Sequence, residues 1–361
     1  MAEVMGEKTE LVPGGVQGAP RERLSAVGVG LRLLSVGPLL ILLLLVLAIS
    51  LLTPNFLKPV NIGNIIGQTA VIAIVALGQH LVILTRGIDL SVGSNLALAT
   101  VVGGLVYQAL GQSPDSAFPV IMAMLAAGTA VGAVNGLVYV FGRLPHPFII
   151  TLATLSICRG LALEFAPNHT TMRGTPDFIS TIGSDSSFVI PNVFVGIPNT
   201  FFVVAIVSVL VLVMAKFMVW GRWIYAVGGK PEAAVQMGIP VRAVLVSTYV
   251  IAGLCAGIGA IVTAGRTGAS SPLYGNLLEL DTIAAVIIGG ASFLGGRGHI
   301  GHALVGAITI GVIRNALNLL NVDVFFQMIC IGVIIVLAVE ADVLRNYLEG
   351  RARVLQATKG Q

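Results

Sequence analysis

Residue types that could carry out chemistry are few in this 361-residue sequence, and none stands in a recognisable catalytic arrangement. A Gly-Lys pair followed by serine or threonine would indicate a phosphate-binding P-loop. The single Gly-Lys pair here, Gly229 and Lys230, is followed by Pro231. Short Gly-Ala-Ser and Gly-Ser-Asp fragments have no base and no orienting acid beside them. We therefore predict that this chain is not an enzyme and does not hydrolyse ATP by itself.

Histidines and cysteines lack the spacing of a metal site. None of the histidines forms an HExxH pair or has a cysteine partner at the spacing of zinc ligands. His299 and His302 are three residues apart, and we interpret them as a surface turn and the start of a helix. The cysteines all lie inside apolar runs and are predicted to be small core residues: Cys158, Cys255 and Cys330. We expect no metal and no cofactor bound by this chain.

Four of the charged residues inside or beside apolar runs bear on a possible site. An ionised residue at the middle of a membrane costs about 2.5–3.5 kcal/mol on insertion scales, so each needs a partner, water or a helix end. We predict that Asp89 either accepts hydrogen bonds from free amides at a helix start or lines a polar passage. Asp281 is predicted to cap a helix in the same way. Arg159 and Arg314 should face protein or water, with ion pairing and contact to a bound molecule both open.

Composition places all of these residues in a membrane protein. Hydrophobic residues make up 56% of the chain and charged residues 10%, with a mean hydropathy of +0.97. Apolar runs of about 18–25 residues recur, and each satisfies its backbone hydrogen bonds only as a helix in lipid. We predict an all-α, polytopic membrane bundle of about ten transmembrane helices. The predicted spans are 33–53, 69–84, 91–110, 119–141, 148–165, 200–219, 243–264, 281–294, 302–320 and 325–339.

The basic residues predict how the chain is oriented. Residues 1–32 are predicted to be a disordered tail, residues 33–340 the membrane domain, and residues 341–361 a second tail. If the chain starts in the cytoplasm and crosses an even number of times, most of the 20 lysines and arginines lie inside. We therefore expect both termini in the cytoplasm, a bacterial inner-membrane location and lipid as a partner. No basic groove with interleaved aromatics indicates nucleic acid.

Glycine spacing predicts close packing of helices inside the bundle. Gly128, Gly132 and Gly136 recur at four-residue intervals in one predicted span, and Gly253 and Gly257 do so in another. Such spacing lets helix backbones approach closely where lipid provides no hydrophobic drive. We interpret it as internal packing rather than as a dimer contact.

Two glycine-rich breaks, residues 84–104 and 287–307, resemble each other. Each ends one apolar run with glycine and small polar residues and begins another after a short basic turn. This similarity predicts an internal duplication, in which the second to fifth spans are echoed by the seventh to tenth. Both breaks are predicted to face the cytoplasm or to dip into the bilayer as broken helices that line a cavity.

A short polar insert, GGKPEAAVQMGI, separates two apolar runs. Pro231 suits a first helical turn, and Glu232 complements the positive N-terminal end of the helix dipole. Gly238 suits a left-handed cap, and Pro240 prevents the helix from continuing. The pattern predicts about two turns of helix near residues 229–239 on the cytoplasmic surface. Because so short a helix is unstable alone in water, we expect it to dock in a groove on another protein.

Several segments carry a family resemblance in the same order and spacing. They are GRWIYAVGGKPEAAVQMGIPV, LGQHLVILTRGIDLSVGS, PNFLKPVNIGNII, GRLPHPFIITLATLSICRGLAL and IGGASFLGGRGHIGHALVGA. The chain resembles, over about residues 35–345, the permease subunits of bacterial ABC sugar importers of the ribose, galactose and xylose type. The first segment is similar to that family's coupling helix, and the second to its Gly-Ile-Asp-Leu-Ser signature. Arg86 departs from a usual glycine, and Lys230 from a common asparagine.

The resemblance implies a permease that works as a pair, most simply a homodimer. It implies separate ABC ATPase subunits that bind ATP and magnesium, and a periplasmic or lipid-anchored sugar-binding protein. A monosaccharide such as a ribose-like sugar would be imported by alternating access. The residues implied in ATPase coupling are Gly229, Lys230, Pro231, Glu232, Ala233, Ala234, Met237, Gly238 and Ile239. The candidates for the translocation path are Asp89, Ser91, Asn95 and Arg314.

Other functions stay open from the sequence alone. The same kind of importer would suit a nucleoside or a sugar-derived signal. An ion-coupled secondary transporter would need paired acidic residues at mid-depth, which are scarce here. The polar segment 166–199, rich in proline, glycine and serine, is the predicted docking surface for the binding protein.

Overall fold

Helices account for most of the computed structural model, which describes residues 26–187, 189 and 196–359. The helices are α1 (Ala26–Leu52), α2 (Pro59–Leu84), α3 (Val92–Ala109), α4 (Ala117–Phe141), α5 (Phe148–Phe165), α6 (Asp177–Ser184), α7 (Asn199–Phe217), α8 (Val219–Gly229), α9 (Pro231–Gln236), α10 (Val241–Thr267), α11 (Leu278–Ile288), α12 (Ile300–Leu319) and α13 (Val324–Lys359). The all-α prediction is confirmed. Residues 1–25 of the predicted N-terminal tail lie outside the described residues. Residues 26–32 already belong to α1, so the prediction of a disordered tail up to residue 32 is wrong for these residues.

Each of the ten predicted spans corresponds to one helix, from α1 to α5, α7, and α10 to α13. Within the described residues, seven helices are long and apolar enough to cross a membrane. They are α2, α3, α4, α5, α7, α10 and α12. Helices α1 and α13 carry shorter apolar stretches, Gly37–Leu52 and Val324–Glu340. The chain is therefore a multi-pass membrane protein.

Helix α11 is shorter than the span predicted at 281–294. Its 11 residues rise only about 17 Å at 1.5 Å each, against about 30 Å of hydrocarbon. Gly289 forms its C-cap, and Gly290 follows with a positive φ of 89°. The apolar residues beyond this point belong to a loop that leads to α12, so hydrophobicity alone extended the prediction too far. The helix covers only part of the membrane thickness.

Helix α2 begins at Pro59, well before the predicted start at residue 69. Proline suits the first helical position because its missing N–H would be unpaired there in any case. Asn61 lies in this extension, where it interrupts the apolar run that the prediction followed. Its side chain is buried and exchanges two hydrogen bonds with Asn315 of α12, at 3.0 and 2.9 Å. The two amide side chains thus satisfy each other's hydrogen bonds between α2 and α12. This pairing allows α2 to continue through the polar residue Asn61.

The helices separate into a buried centre and a lipid-facing surround. More than half of the apolar window is buried in α2, α3, α10 and α12, and less than a quarter in α4, α5 and α7. Small and branched apolar side chains from α2, α3, α11 and α12 form the largest buried cluster. The exposed apolar faces of the outer helices are those expected of surfaces in contact with lipid. The centre therefore lies where α2 meets α3, α10 and α12.

Helices α4 and α10 pack along the predicted glycine positions. A Cβ atom on Gly132 would overlap the carbonyl oxygen of Tyr249, and one on Gly253 would overlap that of Gly128. Gly257 has a backbone oxygen of α4 at 2.9 Å from its hypothetical Cβ. The prediction of close internal packing is confirmed, and the structure adds that the two glycine series face each other.

We expect Gly132→Ala to lower the free energy of unfolding by about 2 kcal/mol, because overpacking a filled interface typically costs about 1–3 kcal/mol. The matched control is Gly160→Ala on α5, where a Cβ would meet no atom within 4 Å. That control should be at least as stable as the wild type, because alanine favours a helix more than glycine does. Thermal unfolding in detergent measures both, and equal midpoints for the two variants would contradict this packing.

Short strands lie at the end of the bundle where α5 and α10 finish. Strand β1 (Met172–Arg173) pairs antiparallel with β4 (Ala269–Ser270), and β2 (Ser186–Ser187) pairs antiparallel with β3 (Ile197–Pro198). Helix α6 packs against α10, and Gly183 fits against the backbone at Gly265. The described part of the predicted docking segment is thus folded onto the bundle.

Two further expectations concern the cysteines and the C-terminal tail. Cys158 and Cys255 are buried, which confirms their interpretation as core residues. Cys330 is half-buried and lines an apolar cavity between α1, α11, α12 and α13. Helix α13 runs on from the membrane part to Lys359. Residues beyond 340 are rich in alanine, leucine and arginine, which are strong helix formers.

Candidate functional site

The predicted polar insert forms a short, capped helix. Helix α9 begins at Pro231 and ends at Gln236. Gly238 follows with a left-handed φ of 74°, and the amides of Gly238 and Ile239 donate to carbonyls of α9 at 3.0 and 3.1 Å. Helix α10 begins directly after Pro240. The predicted start, left-handed cap and proline stop are all confirmed.

Burial divides the insert into an inner and an outer side. Ala234 is fully buried and packs into the bundle, so its predicted place on an exposed docking face is corrected. Val235 and Met237, by contrast, are 61% and 67% exposed. Val235 was missing from the predicted coupling residues. Val235 and Ala234 are both apolar and adjacent. A helix of six residues is too short for a hydrophobic period to show which of the two faces the bundle and which faces solvent.

Helix α8 leads into the insert and is fixed to α10. The indole Nε1 of Trp220 donates to the Ser247 hydroxyl at 2.7 Å. The Trp220 and Trp223 rings lie 5.2 Å apart. Tryptophan pairs of this kind are typical of the interface between membrane and water. The insert therefore lies at one membrane surface.

Arg86 ties the insert to the segment that follows α2. It has a left-handed φ of 66°. Its guanidinium donates to the carbonyl oxygen of Gly228 at 2.6 Å and to that of Gly229. These two carbonyls end α8, just before α9 begins. The residue that departs from the family signature is thus an anchor of the insert, and the sequence carried no signal for this contact.

The second glycine-rich break also reaches the insert. The amide of Gly296 donates to the carbonyl of Leu84 at 2.8 Å, and the Tyr225 hydroxyl on α8 donates to the carbonyl of Gly298 at 2.8 Å. A Cβ on Gly228 would overlap the Leu84 carbonyl oxygen. The two breaks therefore meet at the same end of the bundle, where both contact the end of α8. Whether they arose by duplication stays a prediction.

Asp89 belongs to a buried polar network. Its Oδ1 atom accepts from the amide and the hydroxyl of Ser91, at 2.8 and 2.7 Å. Asn135 of α4 donates to the same hydroxyl at 2.8 Å, and Thr154 of α5 donates to Asn135 at 2.5 Å. Burial raises the pKa of the Asp89 carboxyl above its ordinary value, while these hydrogen bonds oppose the shift. The network joins α3, α4 and α5.

The predicted capping role of Asp89 is therefore modified by the structure. Helix α3 begins at Val92, and Ser91 is its N-cap residue. Asp89 lies two residues earlier and accepts one amide, that of the N-cap residue itself. Asn95, one turn into α3, donates to the carbonyl of Gly128 at 3.0 Å, and its own oxygen has no partner. Three of the four path candidates thus lie together and are buried.

The fourth candidate, Arg314, forms an ion pair with Asp281. One guanidinium nitrogen lies 2.8 and 2.6 Å from the two carboxylate oxygens. Asp281 stands in the first turn of α11, whose N-cap residue is Leu277, so its predicted role as a cap is wrong. Of the alternatives open for Arg314, ion pairing is the one observed. Charge neutralisation explains why both residues are tolerated inside apolar helices.

Breaking this pair should destabilise the protein in a defined order. The Asp281 side chain is 5% exposed and that of Arg314 is 32% exposed, so an unpaired carboxylate costs more than an unpaired guanidinium. We expect Arg314→Gln to lower the free energy of unfolding by about 3 kcal/mol and Asp281→Asn by about 2 kcal/mol. The double variant should lose less than Arg314→Gln. Thermal unfolding in detergent tests this, and additive losses would contradict the pairing.

Arg159 and the histidine pair have structural partners. Arg159 of α5 donates to the backbone carbonyls of Pro272 and Tyr274, the latter at 3.0 Å, so it faces protein as predicted. His299 is the N-cap residue of α12 and accepts from the Gly301 amide at 3.1 Å. The predicted turn and helix start are confirmed. Across the described residues, no three histidine, cysteine or acidic side chains cluster as metal ligands would.

Known proteins resemble this chain over most of its length. Residues 61–339 match the profile of a family described as branched-chain amino acid transport system, permease component. The ribose import permease protein RbsC of Bacillus subtilis is 38% identical over 309 residues, which is 85% of this chain and 92% of that protein. The D-allose transport system permease protein AlsC of Escherichia coli is 35% identical over 307 residues, 85% of this chain and 90% of that protein.

The similarity extends to a further sugar permease. The galactose/methyl galactoside import permease protein MglC of Haemophilus influenzae is 34% identical over 320 residues, 84% of this chain and 93% of that protein. No solved structure matches. The matched region contains the polar insert, both glycine-rich breaks and the Asp281–Arg314 pair.

Proposed function

Because the chain belongs to this family of transporter permease components, we propose that it is the membrane subunit of an ATP-driven importer of a monosaccharide. The observation that carries this proposal is the 34–38% identity, over 84–85% of this chain, to permeases named for ribose, allose and galactose. The chain is a transport subunit, and the ATPase would reside in separate subunits that bind ATP and magnesium. Its place would be the bacterial inner membrane, with both termini in the cytoplasm.

The insert supplies the contact that such an ATPase needs. Glu232, Gln236 and Met237 are exposed on a short helix that is held at both ends. A capped helix on the surface is suited to a groove on a partner protein. We assign residues 229–239, with Val235 added and Ala234 removed from the contact face, as the coupling helix.

Contacts around the insert provide a route for force. A displacement of α9 would move the carbonyls of Gly228 and Gly229. Arg86, which follows the end of α2, donates hydrogen bonds to both carbonyls. The same displacement moves α8 against the loop that contains Gly296 and Gly298. That loop leads into α12, and the Arg86 segment leads through the Asp89 network into α3. A single displacement of α9 would thus move both glycine-rich breaks together. Alternating access between two such subunits requires a coupled movement of this kind.

Partners on the opposite side follow from the same orientation. Asp177 and Asp185 lie on the surface of segment 166–199, at the end of the bundle away from the insert. We assign this surface to a periplasmic or lipid-anchored sugar-binding protein that delivers the cargo. The second permease subunit would be another copy of this chain.

Reconstitution tests this function directly. The chain would be placed in proteoliposomes with its cognate ATPase and binding protein, and uptake of labelled ribose, allose and galactose measured with and without ATP. We expect ATP-dependent accumulation of at least one monosaccharide and none of leucine or a nucleoside. Accumulation of leucine alone would show that the cargo is a branched-chain amino acid, as in the family description, and not a monosaccharide. Uptake driven by an ion gradient without ATP would indicate a secondary transporter.

A further inference from the structure

An apolar groove runs beside the insert, between the ends of α4 and α10. It has a volume of about 770 Å³. Leu137 and Phe141 of α4 form one wall, and Val246 and Val250 of α10 form the other. Val235 at the end of α9 also lines it. The groove therefore connects the coupling helix to the lipid-facing surface of the bundle.

The groove has the depth of one leaflet. From Arg242 to Val250, both of which line it, α10 rises about 12 Å at 1.5 Å per residue. One leaflet of hydrocarbon is about 15 Å deep, half of a 30 Å core. Leu137 and Phe141 are 46% and 62% exposed on this wall. An acyl chain can follow such a wall into the membrane, whereas a folded water-soluble domain cannot.

Positive charge lies at the mouth of the groove. Arg242 is exposed and lines it, and the described residues that line it include no acidic side chain. Arg143 is also exposed and follows the end of α4, which lies opposite the start of α10 because the two helices are antiparallel. Trp220, bonded to the groove residue Ser247, marks the level of the membrane interface. An anionic head group at the mouth of the groove would meet the guanidinium of Arg242.

We propose that this groove binds an anionic phospholipid of the cytoplasmic leaflet, with its head group on Arg242 and an acyl chain between α4 and α10. The location in that leaflet rests on the proposed function, which puts the insert in the cytoplasm. Because the groove also contacts Val235 and Ile239, the bound lipid supports one side of the coupling helix. Lipid composition would therefore influence how firmly the insert is held.

Native mass spectrometry of the purified, delipidated chain tests the proposal. The probes are phosphatidylglycerol and phosphatidylcholine with identical acyl chains. We expect the wild type to retain phosphatidylglycerol about fivefold more than phosphatidylcholine, since each basic residue near a surface contributes about fivefold to anionic lipid binding. Arg242→Gln should remove most of that preference. Ala243→Trp, on an exposed groove residue, should reduce retention of both lipids by filling the groove.

Arg222→Gln is the matched control, because Arg222 is exposed on α8 and does not line the groove. It should retain the wild-type preference. Equal retention of the two lipids by the wild type would mean an unselective lipid annulus and would overturn the proposal. A loss in Arg222→Gln as large as in Arg242→Gln, or no loss in Ala243→Trp, would overturn it as well. Binding is measured without ATP, cargo or partner proteins, so its failure is distinct from a failure of transport.

Discussion

Reversing the charge of Glu232 is expected to reduce ATP-driven uptake at least about 100-fold, since like charges facing each other across an interface cost several kcal/mol. Glu232 is exposed in the first turn of α9. Arginine there would oppose the helix dipole and would place a positive charge where the proposed ATPase contact receives a negative one. Co-purification of the ATPase with Glu232→Arg should fall in parallel, while the amount of inserted permease stays at the wild-type level.

A second variant separates shape from charge at the same helix. Gly238 has a left-handed φ of 74°, and a valine there costs about 1–2 kcal/mol because its branched Cβ clashes with the backbone. We expect Gly238→Val to distort the end of α9 and also to stop uptake.

Glu340→Arg is the matched control for the charge reversal. Glu340 is exposed on α13, outside the insert. Uptake by this control should remain normal. If Glu232→Arg and Gly238→Val both kept normal uptake and normal ATPase binding, the coupling assignment would be wrong.

Replacing Arg86 by alanine is expected to lower uptake about 100-fold with the ATPase still bound. Two charge-assisted hydrogen bonds to the end of α8 are lost, and each contributes about 1.5–3 kcal/mol. The insert can then move without moving the segment after α2. The expected signature is uncoupling: ATP hydrolysis by the assembled complex continues while uptake falls.

Two further substitutions distinguish contact from backbone strain. Arg86→Gly removes the cost of the positive φ but also lacks the guanidinium, so uptake should remain low. Arg86→Lys keeps the charge and should recover only part of the uptake, because an ammonium does not reproduce the planar fork. Full recovery in Arg86→Gly would show that the arginine contributes nothing to transmission.

The positions of the helices could be predicted from the lengths of the apolar runs and from the proline and glycine residues at their ends. These features affect only the neighbouring residues of the chain. The boundaries of α5 match the prediction, and α4 and α12 differ from it by about two residues, within the usual uncertainty. The capped helix at Pro231 was also readable, since each of its signals acts within a few residues. Such features depend on the chain next to them and not on the fold.

What the sequence did not reveal depends on partners far away along the chain. Asp281 looks like a cap until Arg314, which is 33 residues later, neutralises it. Asn61 looks like an interruption until Asn315 pairs with it. Arg86 looks like a departure from a signature until it reaches Gly228. In each case a polar group finds its partner only after the helices have packed.

Accessibility of Met237→Cys tests the central claim most directly. Met237 is 67% exposed on the insert assigned to the ATPase, and a variant lacking the three native cysteines provides the background. A membrane-impermeant maleimide should label Met237→Cys in inside-out vesicles and not in intact cells, and assembly with the ATPase should protect it. Labelling in intact cells, or equal labelling with and without the ATPase, would contradict the account.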